Sequence, residues 1–167
     1  MLFRSLIRVT ITDGILPYGA FQNCSMLSSV VLGEQVSLHG ERQFENCTGL
    51  TQVTLMSNIT EITNGMFYNC GLTSINIPES VTKIDFAAFA QCVSLEMVLI
   101  PSNVCYIGQQ AFGGCSSLTS VAFANAEGWY CTDDVNAASG NTMLVDDLAK
   151  NAENLVTNYY NYYWKKS

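Results

Sequence analysis

Apolar residues recur along this chain in one phrase, Leu-x-x-Val-x-Leu, and its close variants. Leu27, Val30 and Leu32 spell it, and so do Leu50, Val53 and Leu55. Leu72, Ile75 and Ile77 follow, then Leu95, Val98 and Ile100, then Leu118, Val121 and Phe123. The last three positions of each phrase alternate apolar, variable, apolar, which is the period of a strand with one buried face. A second apolar rhythm comes after each strand. Val36, Ile59, Val81 and Val104 stand eight residues before a phenylalanine. Leu16, His39, Ile62, Ile84 and Ile107 stand five before one, His39 being the polar departure. Ala20, Ala88 and Ala111 directly precede the phenylalanine, where a small side chain suits close stacking; Gln43 and Met66 depart from that column. Gly40 and Gly108 mark turns. Pro78 and Pro101 end two strands, because proline cannot donate to a backbone ladder.

Those phenylalanines open the most regular feature of the chain, Phe-x-x-Cys. It occurs at Phe21…Cys24, Phe44…Cys47, Phe67…Cys70, Phe89…Cys92 and Phe112…Cys115, with the cysteines 23, 23, 22 and 23 residues apart. The third coil is one residue short, since Leu72 follows Cys70 by two places where the other leucines follow by three. A fixed period of about 20–29 residues marks a leucine-rich-repeat-like solenoid, whose coils bury a continuous core only by stacking. A half coil made by Leu6, Val9 and Ile11 precedes the first full coil. The pattern predicts a right-handed solenoid of stacked parallel strands with short turns or 3-10 segments over residues 1–124, and a small α/aromatic C-terminal cap over 125–167. Six strands at about 4.8 Å spacing give a strand face on the order of 24 Å long.

In the tail, Glu127–Thr132 reads as a short irregular strand and Asp133–Asn141 as a polar loop. Asp147–Val156 reads as a short helix, with Leu148, Ala152, Leu155 and Val156 on one face and Asp146 and Asp147 near its N-terminus. The aromatic ending from Asn158 to Ser167 covers the last coil, or else offers a platform to a sugar or peptide.

Composition narrows the function. The chain has 167 residues, 49% of them hydrophobic, enough for one continuous core. Fourteen acids against 7 bases leave a net charge of −7, which argues against nucleic acid or an anionic membrane as partner. No apolar run is long enough to predict a transmembrane helix. Met1-Leu2-Phe3 runs straight into the first strand with no visible signal peptide. Either the protein is cytoplasmic, or a signal and earlier coils lie upstream; the open first coil favours the second, since solenoid ends are normally capped.

The cysteines invite a chemical reading that their spacing weakens. Five of the 7 occupy one column, where stacked Cα atoms come within disulfide range but parallel Cβ vectors give the wrong torsion. They are expected as buried thiols packing as small hydrophobes. No local Cys or His clustering suits zinc. A Cys105–Cys131 disulfide stays open if the tail folds back. His39 is the only histidine and is expected in a core column, as a packed or partly exposed residue rather than the base of a Cys47 dyad. Asp133-Asp134 and Asp146-Asp147 are read as solvated acids, because the loop from Asp134 lacks the calcium-loop order. Asn23-Cys-Ser, Asn46-Cys-Thr and Asn58-Ile-Thr match the glycosylation sequon, the first two as by-products of the repeat. No motif points to a cofactor, a metal site or an enzyme.

Ala111–Val121 (Ala-Phe-Gly-Gly-Cys-Ser-Ser-Leu-Thr-Ser-Val) and Ile77–Ile84 (Ile-Pro-Glu-Ser-Val-Thr-Lys-Ile) resemble the repeat of BspA-like leucine-rich-repeat proteins. The resemblance covers roughly residues 6–123, and the Gly-Trp-Tyr…Tyr-Tyr-Trp-Lys ending is similar to C-terminal segments of such proteins from gut bacteria. It implies a secreted or surface-anchored protein, some relatives of which bind host matrix proteins, and it brings no catalytic residues.

If Val and Leu of each strand point inward, the residues between them point out. One outward column is Arg8, Ser29, Gln52, Ser74, Met97 and Ser120. The other is Thr10, Val31, Thr54, Asn76, Leu99 and Ala122. This nearly uncharged face is the candidate binding surface for a protein or glycan, with Met97, Leu99 and Val31 as its apolar points. Two functions stand side by side: an extracellular binding or adhesion module, and a structural spacer or scaffold that self-associates through an exposed coil end.

Overall fold

The structure, a computed structural model, describes residues 7–167. Leu6 and the Met1-Leu2-Phe3 start, to which the half coil and signal-peptide expectations refer, lie outside the described residues. In chain order the first strands are β1 (Arg8–Leu16), β2 (Ser29–Leu38), β3 (Gln52–Leu55), β4 (Glu61–Ile62), β5 (Ser74–Ile75) and β6 (Lys83–Ile84). They are followed by β7 (Met97–Ile100), β8 (Tyr106–Ile107), β9 (Ser120–Phe123), β10 (Trp129–Thr132) and β11 (Asn141–Thr142). Helix α1 (Leu148–Glu153) runs into a π-helical turn (Asn154–Asn158), and β12 (Tyr163–Lys166) closes the chain. The architecture is a β-solenoid of parallel strands with, among the described residues, a single short helical segment near its end.

The predicted columns align in register. Val9, Val30 and Val53 are paired neighbours, and so are Ile75, Val98 and Val121. On the second side Ile62, Ile84 and Ile107 are paired in parallel. Between these two sides each coil turns at its Phe-x-x-Cys corner. The rings stack nearly parallel at 5.5, 5.7, 5.6 and 5.3 Å between centroids. The backbone N–H of each cysteine donates to its own phenylalanine carbonyl, as Cys70 does to Phe67 at 3.2 Å. The thiol of the next coil then donates to the same carbonyl: Cys47 Sγ to Phe21 O at 3.1 Å, Cys70 to Phe44 at 3.2 Å, Cys92 to Phe67 at 3.1 Å and Cys115 to Phe89 at 3.1 Å. A small side chain that packs as a hydrophobe yet carries one weak donor is what this corner requires. Burial pushes the Cys47 and Cys92 thiols up to about 12, and raises Cys24, Cys70 and Cys115 as well, so all five are held as neutral thiols.

The corner also needs a left-handed residue two places after the phenylalanine. Asn23, Asn46 and Asn69 take it at φ 63°, 60° and 54°, and Gln91 at 63°. Asparagine tolerates that region better than most residues. Here its amide also ladders between coils, from Asn69 Nδ2 to Asn46 Oδ1 at 2.9 Å and from Asn46 Nδ2 to Asn23 Oδ1 at 3.1 Å.

One column differs from the sequence reading. His39 is exposed, and Leu38 pairs with Leu16 in the position assigned to it. The coil carries one extra residue between this column and Phe44, and Gly40 absorbs it at φ +112°. Only the backbone of His39 is tied down, donating to Leu16 O at 2.8 Å. Gln43, in the alanine column, is fully buried but satisfied: its amide donates to Gly40 O at 2.9 Å and accepts from Thr63 Oγ1 at 2.9 Å.

Among the described residues the ladders are interrupted twice. β2 is not bonded to β4, just after the displaced His39, and β3 is not bonded to β5, where the third coil is one residue short. At this turn Gly71 lies so near the preceding coil that a Cβ there would sit 2.4 Å from Thr48 O, just as one at Gly49 in the full-length second coil would sit 2.5 Å from Ser25 O.

The C-terminal segment closes the last coil. Instead of an irregular strand, β10 is regular; β12 lies antiparallel between β8 and β10. Trp129 and Trp164 are fully buried against Phe123, with centroid separations of 5.0 and 6.2 Å. The indoles are core, not a ligand platform. Asp147 caps α1 by accepting from Lys150 N at 2.9 Å. Fully buried Asn151 donates to Val121 O at 2.9 Å and to Val145 O at 3.1 Å, fastening α1 to β9. Ala152 and Leu155 are buried as expected, but Leu148 is half exposed. Cys105 and Cys131 are free thiols; Cys105 is exposed, whereas Cys131 is buried opposite Trp164.

Candidate binding face

Alternation along β1, β2, β3, β5, β7 and β9 turns Val and Leu inward and leaves the intervening side chains outside. Arg8, Ser29 and Gln52 are register neighbours, as are Thr10, Val31 and Thr54. Ser74, Met97 and Ser120 form the matching row beyond the interruption, and Leu99 pairs with Ala122. Asn76 lies just past β5 and is exposed. Arg8, Gln52, Thr54, Ser74, Met97 and Leu99 are exposed, while Ser29, Val31 and Ser120 are half-buried.

The face divides in two at the β3–β5 interruption. Over it lies a polar groove of about 350 Å³, lined by Ser29, Thr51, Gln52, Thr54, Ser74 and Asn76 above Val53 and Ile75. Beside it lies an apolar groove of about 510 Å³, whose lining includes Met97, Leu99, Ala122 and Leu148. Met97 is 59% exposed, Leu99 53% and Leu148 49%, so large apolar side chains meet water side by side. Leu148 was not legible as part of this face. The helical phase places it with Ala152 and Leu155, and only the docking of α1 across β9 turns it outward.

The second side of the solenoid is charged. Lys83 Nζ lies 2.9 Å from Glu61 and 2.8 Å from Asp85, and 5.5 Å from the centre of the Tyr106 ring. Partial burial works against the Lys83 charge, but hydrogen bonds to Asp85 and Glu61 win and raise its pKa. Asp85 is lowered: burial opposes this, and the Lys83 hydrogen bond outweighs it. The group is a partly exposed ion triad in which one lysine serves two carboxylates, leaving one negative charge in excess. Cys47, fully buried, and His39, exposed, stand in opposite environments, which removes the basis for a dyad.

Residues 14–127 match the family model described as the BspA type leucine rich repeat region, in 6 copies. The chain belongs to the BspA-type leucine-rich-repeat family. Its solved structural neighbours agree with this. A leucine-rich cell surface protein from Faecalibacterium prausnitzii is 33% identical, with a TM-score of 0.68 over 83% of this chain and 36% of its own. A leucine-rich repeat protein of T. pallidum is 30% identical, with a TM-score of 0.65 over 70% of this chain and 58% of its own. A leucine-rich repeat protein from Bacteroides ovatus is 26% identical, with a TM-score of 0.53 over 72% of this chain and 40% of its own. The BspA-type chain therefore spans between 36% and 58% of the length of these neighbours. No curated protein matches it. Among the described residues, no helix of this BspA-type chain is long and apolar enough to cross a membrane.

Proposed function

We propose that this BspA-type chain is a non-enzymatic binding or adhesion module at the cell surface or outside the cell, offering its strand face to a host protein or glycan. The solenoid of residues 1–124 carries the face and 125–167 closes its end. One observation supports this reading most: the strand face presents uncharged polar side chains in register and gathers Met97, Leu99 and Leu148 into an exposed apolar groove. The name of the F. prausnitzii neighbour, a cell surface protein, supports the localisation. The test is a solid-phase screen of the whole chain against purified host matrix proteins and glycans, with Leu99→Asp in parallel. At least one ligand should bind the wild type and lose affinity about tenfold or more with the variant, which should melt at an unchanged temperature. Binding that ignores Leu99→Asp would count against the strand face.

A scaffold without a specific ligand has its own supporting observation. Ile7, Ile15, Tyr18 and Met26 are all exposed, just before β1, on it and in the first coil after it. Sedimentation that depends on concentration in the wild type and not in Ile15→Asp would favour that reading.

A further inference from the structure

The two grooves of the strand face share a wall, since Ser74 and Asn76 line both. Together they form a channel across the strand face with three properties that bear on its occupant.

Its charge is the first. Among the described residues neither lining holds an ionisable side chain, in a chain with 14 acidic and 7 basic residues. A charged ligand would lose hydration on entry and meet no opposite charge. An anionic one would in addition face the field of a net −7 protein. Charge complementarity therefore favours an uncharged occupant.

The second is the seam. β3 and β5 are not bonded to each other, whereas β1–β2–β3 and β5–β7–β9 are continuous ladders. The side chains of Gln52, Thr54 and Asn76 stand around this unpaired stretch and supply amide and hydroxyl donors and acceptors. An extended polypeptide turns peptide groups to one side at every second residue, the same two-residue repeat that separates Gln52 from Thr54 and Ser74 from Asn76.

The third is the anchor. Met97, Leu99 and Leu148 are aliphatic, and among the described residues no aromatic ring lines either groove. A sugar ring finds no flat apolar surface to lie on, whereas a Leu, Ile, Met or Phe side chain can be enclosed by these three.

We propose that the channel binds an extended, uncharged polypeptide segment, its main chain over the β3–β5 seam and one apolar side chain between Met97, Leu99 and Leu148. The proposal rests on the strand-face reading above and names the partner class for it.

The test pans a phage-displayed random dodecapeptide library on the whole chain, and probes the same protein on an array of neutral glycans. Enriched peptides are then synthesised and titrated by fluorescence anisotropy. They should share an uncharged stretch with one large apolar residue. Leu99→Asp should weaken them about tenfold or more. Gln52→Ala combined with Asn76→Ala should weaken them about two- to tenfold, the scale of one or two lost hydrogen bonds. Both variants should keep the wild-type unfolding temperature. A neutral glycan that binds and is lost with Leu99→Asp, with no peptide enriched, overturns the peptide class and leaves the strand face standing. Peptides weakened by Leu99→Asp but not by the double variant overturn the seam. Peptides indifferent to Leu99→Asp overturn both this proposal and the strand-face reading. Enrichment of nothing overturns the peptide proposal alone, since the matrix-protein screen judges the face separately.

Discussion

The Phe-x-x-Cys corner and the strand face run the same length of the solenoid but obey different rules. At the corner every junction is alike: ring separations stay between 5.3 and 5.7 Å, and each thiol from Cys47 onward reaches the preceding coil. On the strand face the backbone ladder stops between β3 and β5. Yet Phe44 and Phe67, which stack across that same junction, are 5.7 Å apart as though nothing had changed. Coil-to-coil continuity is therefore held at the corner, by ring stacking, thiol bonds and backbone hydrogen bonds such as Phe44 N to Met66 O at 3.0 Å and Asn46 N to Tyr68 O at 2.8 Å. The sheet can open without the stack coming apart. This frees the strand face to vary, and it is where the side chains not needed for packing collect.

The largest test of that contrast compares one buried ring with one exposed hydroxyl. Phe67→Ala removes a fully buried side chain from between Phe44 and Phe89 and should cost about 3–5 kcal/mol. Thr54→Ala on the strand face should change stability by less than about 0.5 kcal/mol. Urea unfolding of both variants decides it; similar losses would mean that the corner holds no special place.

A second test uses pH. The folded-state pKa of Cys47 and Cys92 is raised from the ordinary value of 9.0 to about 12. The folded chain keeps protons that the unfolded chain gives up, so this contribution is complete below about pH 9 and declines as pH rises toward about 12. Stability should fall across that window, and Cys47→Ala with Cys92→Ala should make the fall shallower while lowering stability at neutral pH. An unchanged alkaline slope in the double variant would remove the thiols as its cause.

The smallest effect belongs to the charged side. With side-chain exposures of 38% for Lys83, 39% for Glu61 and 25% for Asp85, water screens the triad. Glu61→Gln should cost no more than about 1 kcal/mol and less in high salt. Asp85, held low, should keep its contribution above the ordinary carboxylate range and lose it as pH falls below that range. A loss comparable to Phe67→Ala would show that ion pairing, not the corner, sets stability.

The columns of Phe, Leu, Val and Ile were legible because each coil meets nearly the same neighbours as the last, so burial repeats as sequence. Where coil lengths differ by one residue, legibility failed in a specific way. Counting back from Phe44 put His39 in the core. The structure instead keeps Leu38 against Leu16 and lets the surplus residue bulge at Gly40. The outward residues from Arg8 to Ser120 could be named from alternation alone, but not their separation into a polar and an apolar groove. Leu148 had no signal at all, since its exposure depends on how α1 lies across β9.

By itself the sequence determined the solenoid, its coil count and the buried state of the cysteine column, because a constant period leaves stacked coils one common way to bury their apolar faces. Only the tertiary structure decided what happens at the short third coil. A missing residue can be absorbed by straining the corner or by opening the ladder. The stacked rings and thiol bonds resist the first, so the ladder yields and a seam opens on the strand face. That balance is struck between residues a full coil apart, which no local pattern records.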